Sequence, residues 1–397
     1  MNAEQKMKNN KIVLGMSGGV DSTTAALLLL ERGYDVYGMY FNIHETGFGG
    51  REEARTALRE AYKAYENSIM KCEHHFSEDK FIYKDASHEF RDIVISDFCL
   101  EYKHGRTPNP CVICNPDIKF RLLTETADAL GAPYVATGHY AKTVYDEARG
   151  AHFIAATTSK KDQSYMLYRL PQEIISRLIF PLAEFAEKES VRNIARKNGL
   201  SSAEKSDSQE ICFIDNSVDY VDFIKNFNGD SEDKTGIEEG NFINAEGKVL
   251  GRHKGLVNYT IGQRKGLGIA LGYPAFITEI DCENNTVTLG KNETLFKTEA
   301  IICDLFFTET GNAELPCGIE KRNLSAKVRY AAPRAAVKIV SASDKKYEKV
   351  QSADSSSTVL KIIFDAPQRA MTPGQSLVIY DDDGDKVIGG GRILKAL

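Results

Sequence analysis

The residues Ser17, Gly18, Gly19, Val20, Asp21 and Ser22, within GMSGGVDSTTAALLL from Gly15 onward, follow a short apolar run and lead into an apolar, helix-like stretch. Glycine tolerates close approach and left-handed backbone geometry, so such a turn lets N–H groups face a bound anion. The N-terminus of the following helix adds partial positive charge, worth about 0.3–1 kcal/mol when exposed. A phosphate is expected there; the plainer alternative is a glycine turn that only caps a helix. The Walker arrangement, Gly-Lys followed by Ser or Thr, is absent, which argues against γ-phosphoryl transfer. Asp21 is expected to assist Mg²⁺ or the turn itself rather than act as a base.

Sulfur is the second chemical element of the sequence. Cys111 and Cys114 lie in GRTPNPCVICNPDIKF, a proline-punctuated loop ahead of a helix, where a thiol can be exposed and its pKa lowered. Cys212 lies in SDSQEICFI. A C-x-x-C pair also fits a structural zinc half-site or small buried hydrophobes, and Cys212, between Ile211 and Phe213, taken alone reads as core. Cys72, Cys99, Cys282, Cys303 and Cys317 have no such context and read as structural or incidental. Eight cysteines in 397 residues are too dilute for a disulfide scaffold.

These residues need elements to hold them. KIVLGM reads as a buried strand, TTAALLLLERG as a helix closed by Gly33, and YDVYGMYF as a second strand, together one βαβ unit. FRLLTETADALG and KESVRNIARKNGL read as helices ended by Gly131 and Gly199, and PYVATGHYA as a strand running into a loop. The fold class is therefore α/β, a parallel sheet covered by helices over the first 200 residues. From about residue 237 the texture turns to short strands such as NTVTLG, AAVKIV, TVLKIIF and SLVIY, which reads as a small β-barrel. The polar runs NFNGDSEDKTGIEEG and SASDKKYEKVQSADSSS read as a linker and a solvent loop. The chain length implies two or three domains, placed at 1–205, 206–290 and 291–397. No run of eighteen apolar residues exists and the start is polar, so no membrane partner and a cytoplasmic location are expected. A net charge of −6 argues against indiscriminate nucleic-acid binding, but RHKG, GQRKG and KVRY are basic islands suited to phosphate contacts or to a solvated face.

The string SGGVDS resembles the PP-loop of ATP pyrophosphatases, which hold ATP by its pyrophosphate and join AMP to a substrate oxygen. More widely, GMSGGVDS, EYKHGRTPNP, CNPDIKF, ATGHYAK, KDQSYMLYRL, SQEICFI, YTIGQRKGLGIA, VRY and TPGQS, in that order over nearly the whole chain, resemble the tRNA-specific 2-thiouridylases. That resemblance implies an adenine-nucleotide α-hydrolase-like PP-loop domain, a small central domain and a C-terminal β-barrel. It implies adenylation of the C2 oxygen of a tRNA wobble uridine, then displacement of AMP by persulfide sulfur brought by an upstream donor protein. ATP would be held by Gly15, Met16, Ser17, Gly18, Gly19, Val20, Asp21, Ser22, Phe41 and Gly138, with Mg²⁺. Cys212 would carry the persulfide and Cys114 would resolve it, leaving a Cys114–Cys212 disulfide. The anticodon arm would be met by Asn109, Pro110, Cys111, Lys161, Asp162, Gln163, Arg329 and Tyr330, with the uridine drawn from its stack.

Three departures from the family stand out. Cys111 replaces a frequent Asp and Phe41 a frequent Met, and residues 44–84 lack the usual helix and following strand in clean form. Cys111 raises a further expectation: with Cys114 and Cys212 it could hold an iron–sulfur cluster. His139 could orient a phosphate or satisfy a loop backbone group. The rival functions are another PP-loop ligase with an amine nucleophile, which needs no paired thiols, and a catalytically idle tRNA-binding protein.

Overall fold

The computed structural model describes residues 9–44, 50–68, 73–205, 211–215, 217–227, 234–341 and 358–397. Cys72, the first residues of SDSQEICFI, and residues 228–233 and 342–357 of the two polar runs lie outside the described residues. The chain forms two compact units, one from Met1–Ile93, Ile113–Phe213 and Gly384–Val387, the other from Val94–Val112, Ile214–Asp383 and Ile388–Leu397.

The first unit carries a five-stranded, wholly parallel sheet. Its central strand Lys11–Gly15 has Asp35–Asn42 and then Phe81–Asp85 on one side, and Tyr134–Ala136 and then Leu178–Ile179 on the other. Ile12, Val13 and Leu14 are all fully buried. A central strand covered on both faces reads as such a continuous apolar run, without alternation. The helix Val20–Glu31 is buried nearly all round, including Ala25, Ala26, Leu27, Leu29 and Leu30. Strand order reverses between Lys11–Gly15 and Tyr134–Ala136. In open sheets of this kind ligands bind outside the carboxyl ends of the strands at that point.

Residues 44–84 correct the sequence reading. Arg51–Ser68 is a helix of 18 residues, and Phe81–Asp85 pairs in parallel with Asp35–Asn42. Buried Ala54, Ala57, Leu58, Ala61, Tyr62 and Tyr65 recur at steps of three and four, the stripe of a one-sided helix. The Tyr62 hydroxyl donates to the Val36 carbonyl at 2.7 Å, locking that stripe to the sheet. A hairpin of Lys142–Asp146 and Ala151–Ala155, not foreseen, also belongs to this unit. Lys386 pairs with Ala155 there, and its Nζ lies 2.7 Å from Asp146 Oδ2.

The second unit holds two β structures. The strands Phe276–Asp281, Thr286–Gly290, Gly240–Ile243 and Val249–His253 form a sheet over Phe242, Ile277, Val287 and Leu289. The expected barrel follows: Phe296–Phe307, Leu360–Arg369, Ala335–Ser341, Leu324–Lys327, Ser376–Asp381 and Lys386–Ala396, closed by pairing of the first strand with the last. Closure leaves these six strands without a free edge to template aggregation.

Candidate active site

The glycine turn begins where the central strand ends. Gly18 takes φ +77°, and a Cβ there would lie 3.0 Å from the Ala54 nitrogen. Gly19 is the N-cap, at φ −84° with no side-chain hydrogen bond to the helix. Left-handed geometry is thus needed at one glycine of the pair. The Ser22 hydroxyl donates to the Gly19 carbonyl at 3.1 Å and accepts from the Ser17 N–H at 3.3 Å, which rolls the turn tight. The first N–H groups of a helix have no intrahelical acceptor. With no side chain capping them, they present the anion-binding end that the sequence suggests.

Gly138 closes the other wall. A Cβ there would stand 2.9 Å from the Asp21 carbonyl carbon and 3.0 Å from the Ser22 nitrogen, so only glycine lets this loop lie against the helix start. Gly15, Phe41 and Gly138 therefore sit at or just past the carboxyl ends of three adjacent strands. Asp21 is a hub: its Oδ1 accepts from the Tyr140 hydroxyl at 2.8 Å and its Oδ2 from Lys188 Nζ at 2.8 Å. Both carboxylate oxygens already have donors, which favours the role in the turn over that of a metal ligand. The Gln163 side chain and backbone bracket Tyr140, accepting from its N–H at 3.0 Å and donating to its carbonyl at 2.8 Å. His139 is held by side chains. Its Nδ1 lies 2.7 Å from the Thr137 hydroxyl, its ring stacks on Phe120, and burial, helped by Lys119, pushes its pKa far down, leaving it neutral.

The thiols sit differently from the loop expected. Pro110–Cys114 is a short helix that runs through Asn115–Phe120 into Arg121–Leu130. Proline suits a first helical turn, and Asn109 caps it, its Oδ1 accepting from the Cys111 N–H at 3.2 Å. Cys111 is exposed, Cys114 half-buried and Cys212 exposed, and Cys114 and Cys212 belong to the same unit. Phe213, adjoining Cys212, packs edge-on against Phe90 at 5.6 Å. Burial pushes the thiols of Cys99 and Cys303 up to about 12, so neither supplies a thiolate near neutral pH. Among the described residues no group of three or more His, Cys, Asp or Glu side chains could hold a metal ion. Cys111, Cys114 and Cys212 are not singled out as such a group.

What holds the stretch before Asn109 escaped the sequence reading. Glu101 is buried, and both its oxygens face guanidinium groups: Arg106 forks onto it, with Nε donating at 2.8 Å, and Arg392 Nη1 lies 3.0 Å away. Burial works to raise this carboxyl, and the two arginines outweigh it, leaving it below the usual carboxylate range. The Thr107 N–H donates to the Pro373 carbonyl at 2.9 Å, and Gln375 Nε2 donates to the Thr107 carbonyl at 2.7 Å. TPGQS is thus the clamp of GRTPNP. Both strings were visible, but nothing in either named the other as its partner.

Of the other residues expected to meet RNA, Lys161 is exposed. Asp162 is turned inward, its oxygens accepting from the Thr157 N–H at 2.9 Å and the Ser164 hydroxyl at 2.7 Å. Arg329 Nη1 donates to the Arg369 carbonyl at 2.9 Å, and half-buried Tyr330 takes Lys327 on its own carbonyl at 3.2 Å.

A parallel sheet with an uncapped glycine turn at its switch point, followed by β modules, defines a nucleotide-binding enzyme of the PP-loop class. Comparison with known proteins agrees: residues 10–216 match the tRNA methyl transferase HUP domain, 232–291 the tRNA methyl transferase PRC-barrel domain and 310–393 the aminomethyltransferase beta-barrel domain. The chain is 40% identical over 394 residues to the tRNA-specific 2-thiouridylase MnmA of Clostridioides difficile, covering 98% of this chain and 99% of that one. It is 41% identical over 391 residues to tRNA-specific 2-thiouridylase MnmA 1 of Clostridium tetani, covering 98% of each. Among solved structures, a 4-thiouridine synthetase–RNA complex with bound ATP matches at a TM-score of 0.32 and 20% identity, over 51% of this chain and 44% of that one, too slight a likeness to argue from. The chain belongs to the tRNA-specific 2-thiouridylase family.

Proposed function

We propose that this protein is a tRNA-uridine 2-sulfurtransferase. The observation that carries the reading is the end-to-end match to 2-thiouridylases, together with the uncapped glycine turn at the sheet's switch point. ATP is bound at Gly15 to Ser22, Phe41 and Gly138. The C2 oxygen of the wobble uridine attacks the α-phosphorus and pyrophosphate leaves. The terminal sulfur of a Cys212 persulfide then attacks C2 and AMP departs with the oxygen. The Cys114 thiolate attacks the Cys212 sulfur, the S–S bond breaks toward the nucleoside, and 2-thiouridine and a Cys114–Cys212 disulfide remain, to be reduced by an external thiol. A thiolate suits each attack because it is a strong nucleophile near neutral pH.

Mg²⁺ enters with the phosphates of the nucleotide, as is usual for that ion, and no cage of protein ligands is required. The anticodon arm is met by Asn109, Pro110, Cys111, Lys161, Gln163, Arg329 and Tyr330, while Asp162 shapes its loop. An upstream protein persulfide loads Cys212. The functional division falls at 1–205, 206–290 and 291–397. No described helix is long and apolar enough to cross a membrane, and a cytoplasmic place follows from the tRNA substrate.

The test is direct. With ATP, a persulfide donor and unmodified tRNA, wild type should give AMP and 2-thiouridine in equal amounts. Cys212→Ser and Cys114→Ser should each lower thiolation by at least about a hundredfold, the scale of losing a catalytic nucleophile. Full activity in Cys212→Ser would instead favour the ligase with an amine nucleophile. Anticodon-arm binding by wild type without any ATP use would leave an idle binding protein.

A further inference from the structure

We propose that Lys188 and Lys205 form a clamp for the pyrophosphate of the bound nucleotide, with Lys188 held in readiness by Asp21. The inference rests on the ATP site proposed above and adds the cations that site needs. Pyrophosphate leaves with several negative charges, and backbone N–H groups and a helix end offset only part of them. The turn itself contains no lysine or arginine. Two ammonium groups reach it from outside. Lys205 Nζ donates to the Gly18 carbonyl at 3.2 Å, and Lys188 Nζ to Asp21 Oδ2 at 2.8 Å.

The pair of Lys188 with Asp21 has a purpose that the turn alone does not explain. A carboxylate in the first turn of a phosphate-binding helix suits the helix but repels an incoming polyanion. With Tyr140 on Oδ1 and Lys188 on Oδ2, that repulsion is neutralised before the ligand arrives. Lys188 is 14% exposed, so its charge is screened far less than that of a surface lysine. An ammonium carries three donors and can serve Asp21 and a phosphate oxygen together. The neighbouring carboxylates have their own partners: Glu187 meets Lys160 at 2.9 Å and Glu189 meets Arg196 at 2.5 Å. Lys205 is exposed on a flexible stem and can move from the Gly18 carbonyl onto the phosphate without disturbing the core.

The test compares nucleotides that differ only in the pyrophosphate. Dissociation constants for ATP and AMP, and inhibition by inorganic pyrophosphate, would be measured for wild type, Lys188→Met, Lys188→Arg and Lys205→Met. A charged hydrogen bond is worth about 1.5–3 kcal/mol, or roughly ten- to hundredfold in affinity. Each methionine variant should weaken ATP by at least about tenfold and blunt pyrophosphate inhibition, with AMP affinity held within about twofold. Lys188→Arg should recover most of the loss. Equal losses for ATP and AMP, or no loss in either variant, would overturn the clamp. Wild type that binds no ATP would overturn the nucleotide site itself, a separate result.

Discussion

At the scale of single residues, the candidate site depends on two glycines that look alike in sequence and differ physically. A methyl at Gly138 collides with backbone, the Asp21 carbonyl carbon at 2.9 Å and the Ser22 nitrogen at 3.0 Å, and backbone cannot swing aside as a side-chain tip can. Gly138→Ala should therefore cost about 1–3 kcal/mol, the range for overpacking, and weaken ATP binding further by shifting the helix start. At Gly19 an added Cβ would meet, among the described residues, only Ser17 Oγ, at 3.5 Å, and φ is −84°, open to any residue. Gly19→Ala should thus stay within about 1 kcal/mol of wild type in urea unfolding yet lose ATP affinity, because its methyl would stand on the phosphate side of an uncapped turn. Wild-type ATP affinity in Gly19→Ala would mean that the nucleotide lies elsewhere.

At the scale of elements, local pattern exposed the strands and helices near the turn, since apolar runs and glycine stops are local signals. It failed where the buried residues were mostly alanine: the stripe in Arg51–Ser68 is present in REEARTALREAYKAYENS but weak in hydrophobicity. The segment Val94–Val112 was illegible for another reason. It belongs with the second unit because Glu101 answers Arg392, at the far end of the chain, and no local signal announces such a partner. Removing one partner from a buried charge cluster costs about 3–5 kcal/mol, so Glu101→Gln should destabilise the protein and loosen the stretch that ends at Asn109. The pH dependence gives the sign. Arg106 and Arg392 hold the Glu101 carboxyl below its ordinary value near 4.3, so its contribution is complete above that pH and fades as pH falls through the folded-state value. Asp97, on the same arginine, is pushed up chiefly by burial and contributes with the opposite sign; Glu101 adds only a smaller upward push, so most of that contribution is common to wild type and Glu101→Gln. The stability gap between wild type and Glu101→Gln should be flat from pH 7 to 5 and close toward pH 3.5. A gap unchanged at pH 3.5 would show that Glu101 is not the charged partner.

At the scale of the whole molecule, a chain of net charge −6 must draw a polyanion with local groups, and the structure separates the basic islands that sequence left equivalent. Arg252 is occupied at home, donating to the Asn241 side chain at 3.3 Å and the Glu239 carbonyl at 3.2 Å. Arg329 is steadied by its own Nη1, which donates to the Arg369 carbonyl and leaves its charge and other donors for RNA. Arg264 and Lys265 are exposed and form no ion pair with a described residue, which leaves their charge for phosphate. Each phosphate neutralised releases condensed counterions and adds about 0.7–0.9 to the slope of log affinity against log salt. Replacing both Arg264 and Lys265 with glutamine should therefore lower the slope for tRNA by roughly 1.4–1.8, the sum of two such contacts, whereas Arg252→Gln should leave it nearly parallel to wild type. Parallel plots for the double variant would remove GQRKG from the RNA-binding face and shift the search to Lys161 and the residues around Asn109. A fall in affinity with the slope unchanged would mean that these two side chains shape their loop, and that neutral contacts hold the RNA there.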